Sequence, residues 1–248
     1  MKYKLSLSSP VFMKKFFTAI IVLFFATNAF GAKMTSVLSR PDLDAIRTAV
    51  VDENSNYYYP KLLKEFMAND TTMTPEAFQY FYYGTLFQED YDPYRPAPSP
   101  QTQATLAPLL NKTSWSRAER KMILDYAMES LADNPINMRQ ITNRIFVYEQ
   151  NGKHDLAKIW QYKLNHLLLV IAASGNGTDP ENAWVVVYPQ DEYDFLNLSG
   201  ITVKEAKFEA PYYDYVVVNP RTSSSPTGYY FNIGELLHQY YLKHPSEL

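Results

Sequence analysis

The segment from residue 155 to residue 189 decides the fold, because a helical pattern gives way to a strand pattern within it. Residues 155–173, DLAKIWQYKLNHLLLVIAA, place large apolar side chains three and four positions apart and end apolar on all sides, which predicts a buried helix. Residues 184–189, WVVVYP, form a β-branched run that a proline ends, which predicts a central strand. The chain therefore changes from helix to strand near residue 180.

The regions on either side of this change are consistent with it. Upstream, apolar periodicity and helix-start signals predict helices at 41–51, 61–69, from Thr74-Pro75 to Gly84, at 116–132 and at 137–150. Downstream, the pattern predicts strands at 201–209, 215–219 and 229–231 and a last helix at 233–243. The predicted fold class is α+β, with N-terminal helical hairpins, then a small antiparallel sheet and a C-terminal helix.

The N-terminus has the pattern of a secretory signal peptide. Residues 1–31 contain four lysines, no acid, and an apolar run from Phe16 to Ala26, followed by small residues before a cleavage site after Gly31. The run is about half of the roughly 20 residues that a spanning helix needs. We therefore expect export to the periplasm or the exterior, with no transmembrane segment in the mature chain. Whether Met1 or Met13 is the true start stays open.

The predicted mature chain, residues 32–248, is long enough for a single α+β domain with its own core. Its helical part covers about 41–175 and its sheet part about 181–243. It keeps 19 basic against 26 acidic residues, a charge of −7, which argues against nucleic-acid binding. The absence of cysteine excludes disulfides, thiol nucleophiles and cysteine-type metal sites.

Two resemblances follow from segments of the chain. The predicted helices at 137–150 and 155–173, with Tyr148, Gly152 and Ala157, resemble one tetratricopeptide unit, although one unit does not make a repeat array. A longer series resembles the exported bacterial domain-of-unknown-function 4919 family, which implies an envelope or secreted protein without an established activity. The segments that carry this resemblance are Tyr57–Leu63, Asn69–Thr72, Phe81–Gly84, Phe87–Tyr91, Asp191–Asp194 and Tyr230–Asn232.

The sequence carries no recognisable catalytic, cofactor or metal motif. The four histidines are scattered without a His-Glu-x-x-His pattern, Ser199 lacks the glycine of a nucleophile elbow, and no phosphate-binding loop is present. We therefore predict no cofactor and no metal. A Ser-His-Asp triad assembles from distant residues without any motif, so the sequence leaves enzymatic activity open and favours its absence.

Tyrosines and acids supply the candidate binding residues. Tyrosine suits wet binding surfaces, and loops carry binding function more often than cores do. The acidic segment 191–194 is open to three interpretations: a turn or helix start after Pro189, a binding site for a cation such as calcium, or the paired carboxylates of a glycosidase. The candidates are Tyr91, Tyr94, Arg95, Asp191, Glu192 and Tyr193.

The functional hypothesis from the sequence is a non-enzymatic binding or scaffold module of the bacterial envelope. An envelope protein is the first expected partner and a glycan the second. The alternative is an exported hydrolase that uses paired carboxylates, drawn from Asp90, Asp92, Asp191, Glu192 and Asp194.

Overall fold

The computed structural model describes residues 38–69, 71–112, 114–220 and 222–247, so the predicted signal peptide lies outside the described residues. The helices are α1 (Leu43–Val51), α2 (Tyr59–Met67), α3 (Pro75–Gly84), α4 (Pro100–Leu106), α5 (Arg117–Asp133), α6 (Met138–Gln150), α7 (His154–Ala173), α8 (Pro189–Leu198) and α9 (Gly234–Lys243). The strands are β1 (Trp184–Val185), β2 (Val203–Glu209), β3 (Tyr213–Val218) and β4 (Gly228–Asn232). The predicted α+β class is confirmed.

Local capping explains where several helices begin. The side chains of Asp42, Thr74 and Asn137 each accept a hydrogen bond from the backbone N–H three residues on, at the starts of α1, α3 and α6. Ser116 and Glu119 form a reciprocal capping box at the start of α5. These bonds satisfy backbone donors that the first turn of a helix leaves without partners.

Helices α5, α6 and α7 pack in sequence order, and α7 occupies the centre of the protein. The last turns of α7 are buried on nearly all sides, as the sequence predicted. Gly152, at φ +70°, makes the tight turn between α6 and α7. The tetratricopeptide-like character of this hairpin stays a prediction.

The four strands form one sheet in the order β1-β4-β3-β2. Strands β2, β3 and β4 pair antiparallel, and β2 meets β3 across the Ala210-Pro211 turn. The sheet is nevertheless mixed rather than wholly antiparallel, because β1 pairs parallel with β4. The reason is topological, because α8 and the β2–β3 hairpin lie between β1 and β4 in the chain. After this long connection, β4 runs beside β1 in the same direction as β1.

The predicted strand at 184–189 pairs with another strand only at Trp184 and Val185. Beyond that, tyrosine hydroxyls replace strand partners for Val187: its N–H donates to Tyr82 at 3.4 Å, and its carbonyl accepts from Tyr91. The buried backbone is therefore satisfied by side chains from the helical half of the protein. This arrangement fixes the position at which α8 begins.

The proline-rich connection, 92–99, runs over the surface between the helical and sheet parts. Arg95 forms an ion pair with Asp133 of α5 at 2.9 Å, and Ser99 donates to Glu129 at 2.7 Å. At its start, Lys243 of α9 donates to three carbonyl oxygens, those of residues 88, 89 and 91, at 2.7–3.0 Å. The connection is thus a surface loop anchored at both ends.

Candidate functional site

Helix α8 brings three acidic side chains into the interior. Pro189 lies in its first turn, so the interpretation of this segment as a helix start is confirmed. The acids are not solvated, however: Asp191, Glu192 and Asp194 are 3%, 1% and 5% exposed. Buried acids require hydrogen-bond partners or protonation, and each of the three finds a different solution.

Asp191 binds the helical half of the protein. Its Oδ2 accepts a hydrogen bond from the Tyr82 hydroxyl of α3 at 2.6 Å and another from the Tyr188 N–H at 3.2 Å. Burial nonetheless raises the pKa of Asp191 to about 7, although the bond from Tyr82 acts in the opposite direction. Asp191 thus joins the start of α8 to α3.

Asp194 is held by α6. Its Oδ1 accepts from Nη2 of Arg139 at 2.8 Å and from Nε at 3.2 Å, and Gln190 donates to the same oxygen at 3.0 Å. The guanidinium of Arg139 thus gives this buried carboxyl a partner of opposite charge. Asp191 and Asp194 together fix both the rotation and the position of α8.

The rotation of α8 directs Glu192 toward Asp214 of β3. The two carboxyls form a hydrogen bond when one of them carries a proton. Burial, and then the charge of Asp214, raise the pKa of Glu192 well above its usual range, and burial raises the pKa of half-buried Asp214 as well. The two carboxyls therefore titrate as a coupled pair, which holds a shared proton to higher pH than an ordinary carboxyl does.

Asp214 lies in a row of side chains that crosses the inner face of the sheet. The strand register places Trp184, Phe231, Asp214 and Phe208 opposite one another in the order β1-β4-β3-β2. Directly paired residues point to the same face of a sheet, about 5 Å apart at their Cβ atoms. Phe231 is fully buried, whereas Phe208 is 59% exposed. The acid pair therefore lies between the core and an open aromatic side chain.

Two tyrosines complete this region. Tyr94, from the proline-rich loop, is 36% exposed, and its ring contacts Tyr240 of α9 edge-on with 4.8 Å between centroids. Burial, followed by the charge of Asp214, raises the pKa of Tyr94 to about 12. Burial and the charge of Glu192 likewise raise the pKa of Tyr193 to about 12. We call Tyr94, Glu192, Tyr193, Phe208 and Asp214 the aromatic–carboxyl site.

Three of the six predicted binding residues, Tyr94, Glu192 and Tyr193, belong to this site. Asp191 lies outside it and holds the start of α8 in place. Tyr91 is only 3% exposed and donates its hydroxyl to Val187, so its ring is part of the core. Arg95 anchors the loop through Asp133. Of the acids considered for hydrolysis, Asp90 is exposed, and Asp92 accepts from the Tyr94 N–H at 2.8 Å within the loop.

The sequence did not single out Asp214 or Phe208. Strand β3 offered a signal for the first, because Asp214 shares the apolar face of Val216 and Val218. A charged residue on the buried face of a strand indicates a functional or paired acid. Phe208 carried no such signal, since its importance depends on its register opposite Asp214.

The described chain contains no group of three or more His, Cys, Asp or Glu side chains placed to hold a metal ion. Among its helices, none combines the length and the apolar character that crossing a bilayer requires.

The fold and the site define an α+β domain with a buried acid pair beside exposed aromatic rings. The chain belongs to the family described as Domain of unknown function (DUF4919), which matches it over residues 44–242. Segments on which the resemblance rested, 81–84, 87–91 and 191–194, supply Tyr82, Tyr91 and the three acids of α8. Neither a search of curated proteins nor one of solved structures found a match.

Proposed function

We propose that this protein is an exported, non-enzymatic binding module of the bacterial envelope, with the aromatic–carboxyl site as its binding surface. The ligand is an envelope protein or a glycan. The signal-peptide pattern of residues 1–31 supports export. The site supports binding because it combines the exposed rings of Phe208 and Tyr94 with the half-buried carboxyl of Asp214.

The observation that carries the proposal is the position of Phe208. Its side chain is 59% exposed, although it lies directly opposite Asp214 on the face that is elsewhere covered by α8. Leaving a large aromatic ring in water forfeits about 1.5–3 kcal/mol of burial free energy. Because Phe208 is 59% exposed, a partner that covers it recovers part of this free energy beside the acid pair.

The acid pair also sustains the alternative, an exported hydrolase. Glycosidases separate their two carboxyls by about 5 Å or more so that the sugar or a water fits between them, whereas Glu192 and Asp214 are in hydrogen-bond contact. The contact corresponds instead to two acids that share a proton, the arrangement with which aspartic proteases activate water. Peptide hydrolysis is therefore the form of the alternative that this geometry favours.

Capture of envelope components tests the proposal. The exported protein, tagged at its C-terminus, serves as bait beside a Tyr94→Ala/Phe208→Ala double variant and a Met122→Ala control, whose residue is 42% exposed on α5. We expect specific components that wild type and control retain and the double variant loses. Equal capture by all three baits contradicts the assigned surface. Peptide turnover by wild type that Asp214→Asn abolishes supports the hydrolase instead.

A further inference from the structure

The acid pair of the aromatic–carboxyl site lacks a counter-charge. Neither Glu192 nor Asp214 takes part in an ion pair within the described chain, and the groups that act on Glu192 are the acids Asp214 and Asp191. This differs from Asp194, two residues away, which has Arg139. Buried acids are normally paired with a cation or bound to a metal.

A hydrogen-bond donor is missing at the same place. Oε1 of Glu192 is buried, and no N–H or hydroxyl group of the described chain donates to it. Glu192 is 1% exposed, so bulk water does not solvate this oxygen freely. When both acids are ionised, neither carboxyl can donate a hydrogen bond; a proton held between them supplies one such bond. A ligand that brings both a donor and a positive charge satisfies the pair better than that proton does.

The surroundings of the pair suit an alkyl chain that ends in such a group. Phe208 on β2 lies directly opposite Asp214, and Tyr94 on the loop is near enough for the charge of Asp214 to raise its pKa; their exposures are 59% and 36%. Aromatic rings attract an ammonium group through their negatively charged faces and also pack against an aliphatic chain. A lysine side chain carries both parts, four methylenes and an ammonium with three N–H donors.

We propose that the aromatic–carboxyl site binds the lysine side chain of a partner protein, with its ammonium at Glu192 and Asp214 and its methylenes against Phe208 and Tyr94. This inference rests on the proposed function and specifies its ligand. The negative charge of the whole chain, −3, favours a basic partner in the same sense. The bound ammonium takes the place of the shared proton, which leaves with solvent.

The test is a titration followed by the NMR signals of the backbone amides. The probes are a blocked glycine pentapeptide with one central lysine, the same peptide with norleucine, and a neutral disaccharide. We expect the lysine peptide to shift the amides of Glu192, Phe208 and Asp214 saturably and the norleucine peptide to leave them unchanged. Equal responses to both peptides, no response to the lysine peptide, or a response to the sugar alone overturn the inference.

Variants separate the site from the general acidity of the protein. Asp214→Asn is expected to weaken lysine-peptide binding about tenfold or more, as loss of a buried charge contact does. The matched control is Glu205→Gln, an exposed acid on the opposite face of β2, with less than about a twofold change expected from a screened surface charge. Unchanged affinity of Asp214→Asn, or equal losses in both variants, contradicts the assignment.

A third variant guards against a folding defect. Phe208→Ala removes only an exposed ring, and it must also weaken the lysine peptide if the inference is correct. Failure of the lysine inference can be distinguished from failure of the proposed function. Envelope capture that depends on Phe208, together with no response to the lysine peptide, leaves the binding module in place and removes lysine as its ligand.

Discussion

Asp214 lies directly opposite Phe208 in the β2–β3 pairing, so a half-buried acid and an exposed aromatic ring occupy one face of the same two strands. Both residues are placed against the usual pattern of a sheet, in which the covered face is apolar and the uncovered face polar. Helix α8 covers Asp214 with Glu192 but leaves Phe208 open. The inner face of the sheet therefore ends in an exposed aromatic ring beside the acid pair.

Asp214→Asn should stabilise the free protein at pH 8. The amide donates to Glu192 without a shared proton, whereas the native pair gains its hydrogen bond only by holding a proton. Burial raises the pKa of Asp214 in the folded state, so the folded protein ionises this carboxyl less readily than the unfolded chain does. The carboxyl of Asp214 therefore lowers the free energy of unfolding more and more as pH rises above the usual carboxyl range. We expect a gain of about 1 kcal/mol at pH 8 and a smaller one at pH 5, measured by urea unfolding. Destabilisation at pH 8 would contradict the shared-proton pair.

Tyr82→Phe removes the hydroxyl that donates to Asp191 at 2.6 Å. The variant should lose about 1–3 kcal/mol at pH 8, where Asp191 is ionised and buried. The pKa of Asp191 is about 7 in the folded state, above its ordinary value of 3.8. Between about pH 4 and pH 7 the folded protein therefore binds this proton more strongly than the unfolded chain does. Stability from this group is therefore present at low pH and falls as pH rises through that window. Thermal unfolding at pH 5 should show a smaller loss than at pH 8, and an equal loss at both would count against an ionised Asp191.

Arg139→Met tests how α8 is held. The substitution keeps much of the packing of Arg139 but leaves Asp194, 5% exposed, without its cation. Because Arg139 itself is partly exposed, we expect a loss of about 2–3 kcal/mol at pH 7, below the full cost of a wholly buried pair. A stability equal to wild type at pH 7 would show that Asp194 does not fix α8.

Lys243→Met tests the anchoring of the proline-rich loop. The ammonium of Lys243 donates to three carbonyls at the start of the loop, and the variant loses all three bonds. We expect faster cleavage within 92–99 by a nonspecific protease, with global stability lowered by no more than about 1–2 kcal/mol. Lys158→Met, whose amine is exposed and 3.7 Å from Asp155, is the control. Equal cleavage rates in the two variants would contradict the anchor.

The sequence predicted the elements of this fold better than their arrangement. Capping residues such as Thr74 and Ser116 are local signals, so helix starts could be read directly. The early end of β1 goes with bonds from Val187 to the hydroxyls of Tyr82 and Tyr91, about a hundred residues away. Local periodicity contains no information about such partners.

The site was predictable only in part, for a similar reason. The acidic segment and Tyr94 stood out by composition, but composition does not distinguish Asp191, which supports α8, from Glu192, which faces the site. Tyr91 and Tyr94 are both tyrosines at the same proline-rich segment, yet the hydroxyl of Tyr91 donates to Val187 inside the core. Phe208 became recognisable only when the strand register placed it opposite Asp214.

The most direct test of the central claim is the carboxyl carbon signal of Glu192, assigned with Glu192→Gln and followed through a pH titration. We predict a midpoint well above the ordinary value for glutamate in the free protein, and a fall of that midpoint when the lysine peptide saturates the site. A midpoint near the ordinary value, unchanged by the peptide, would contradict both the shared proton and its replacement by a ligand.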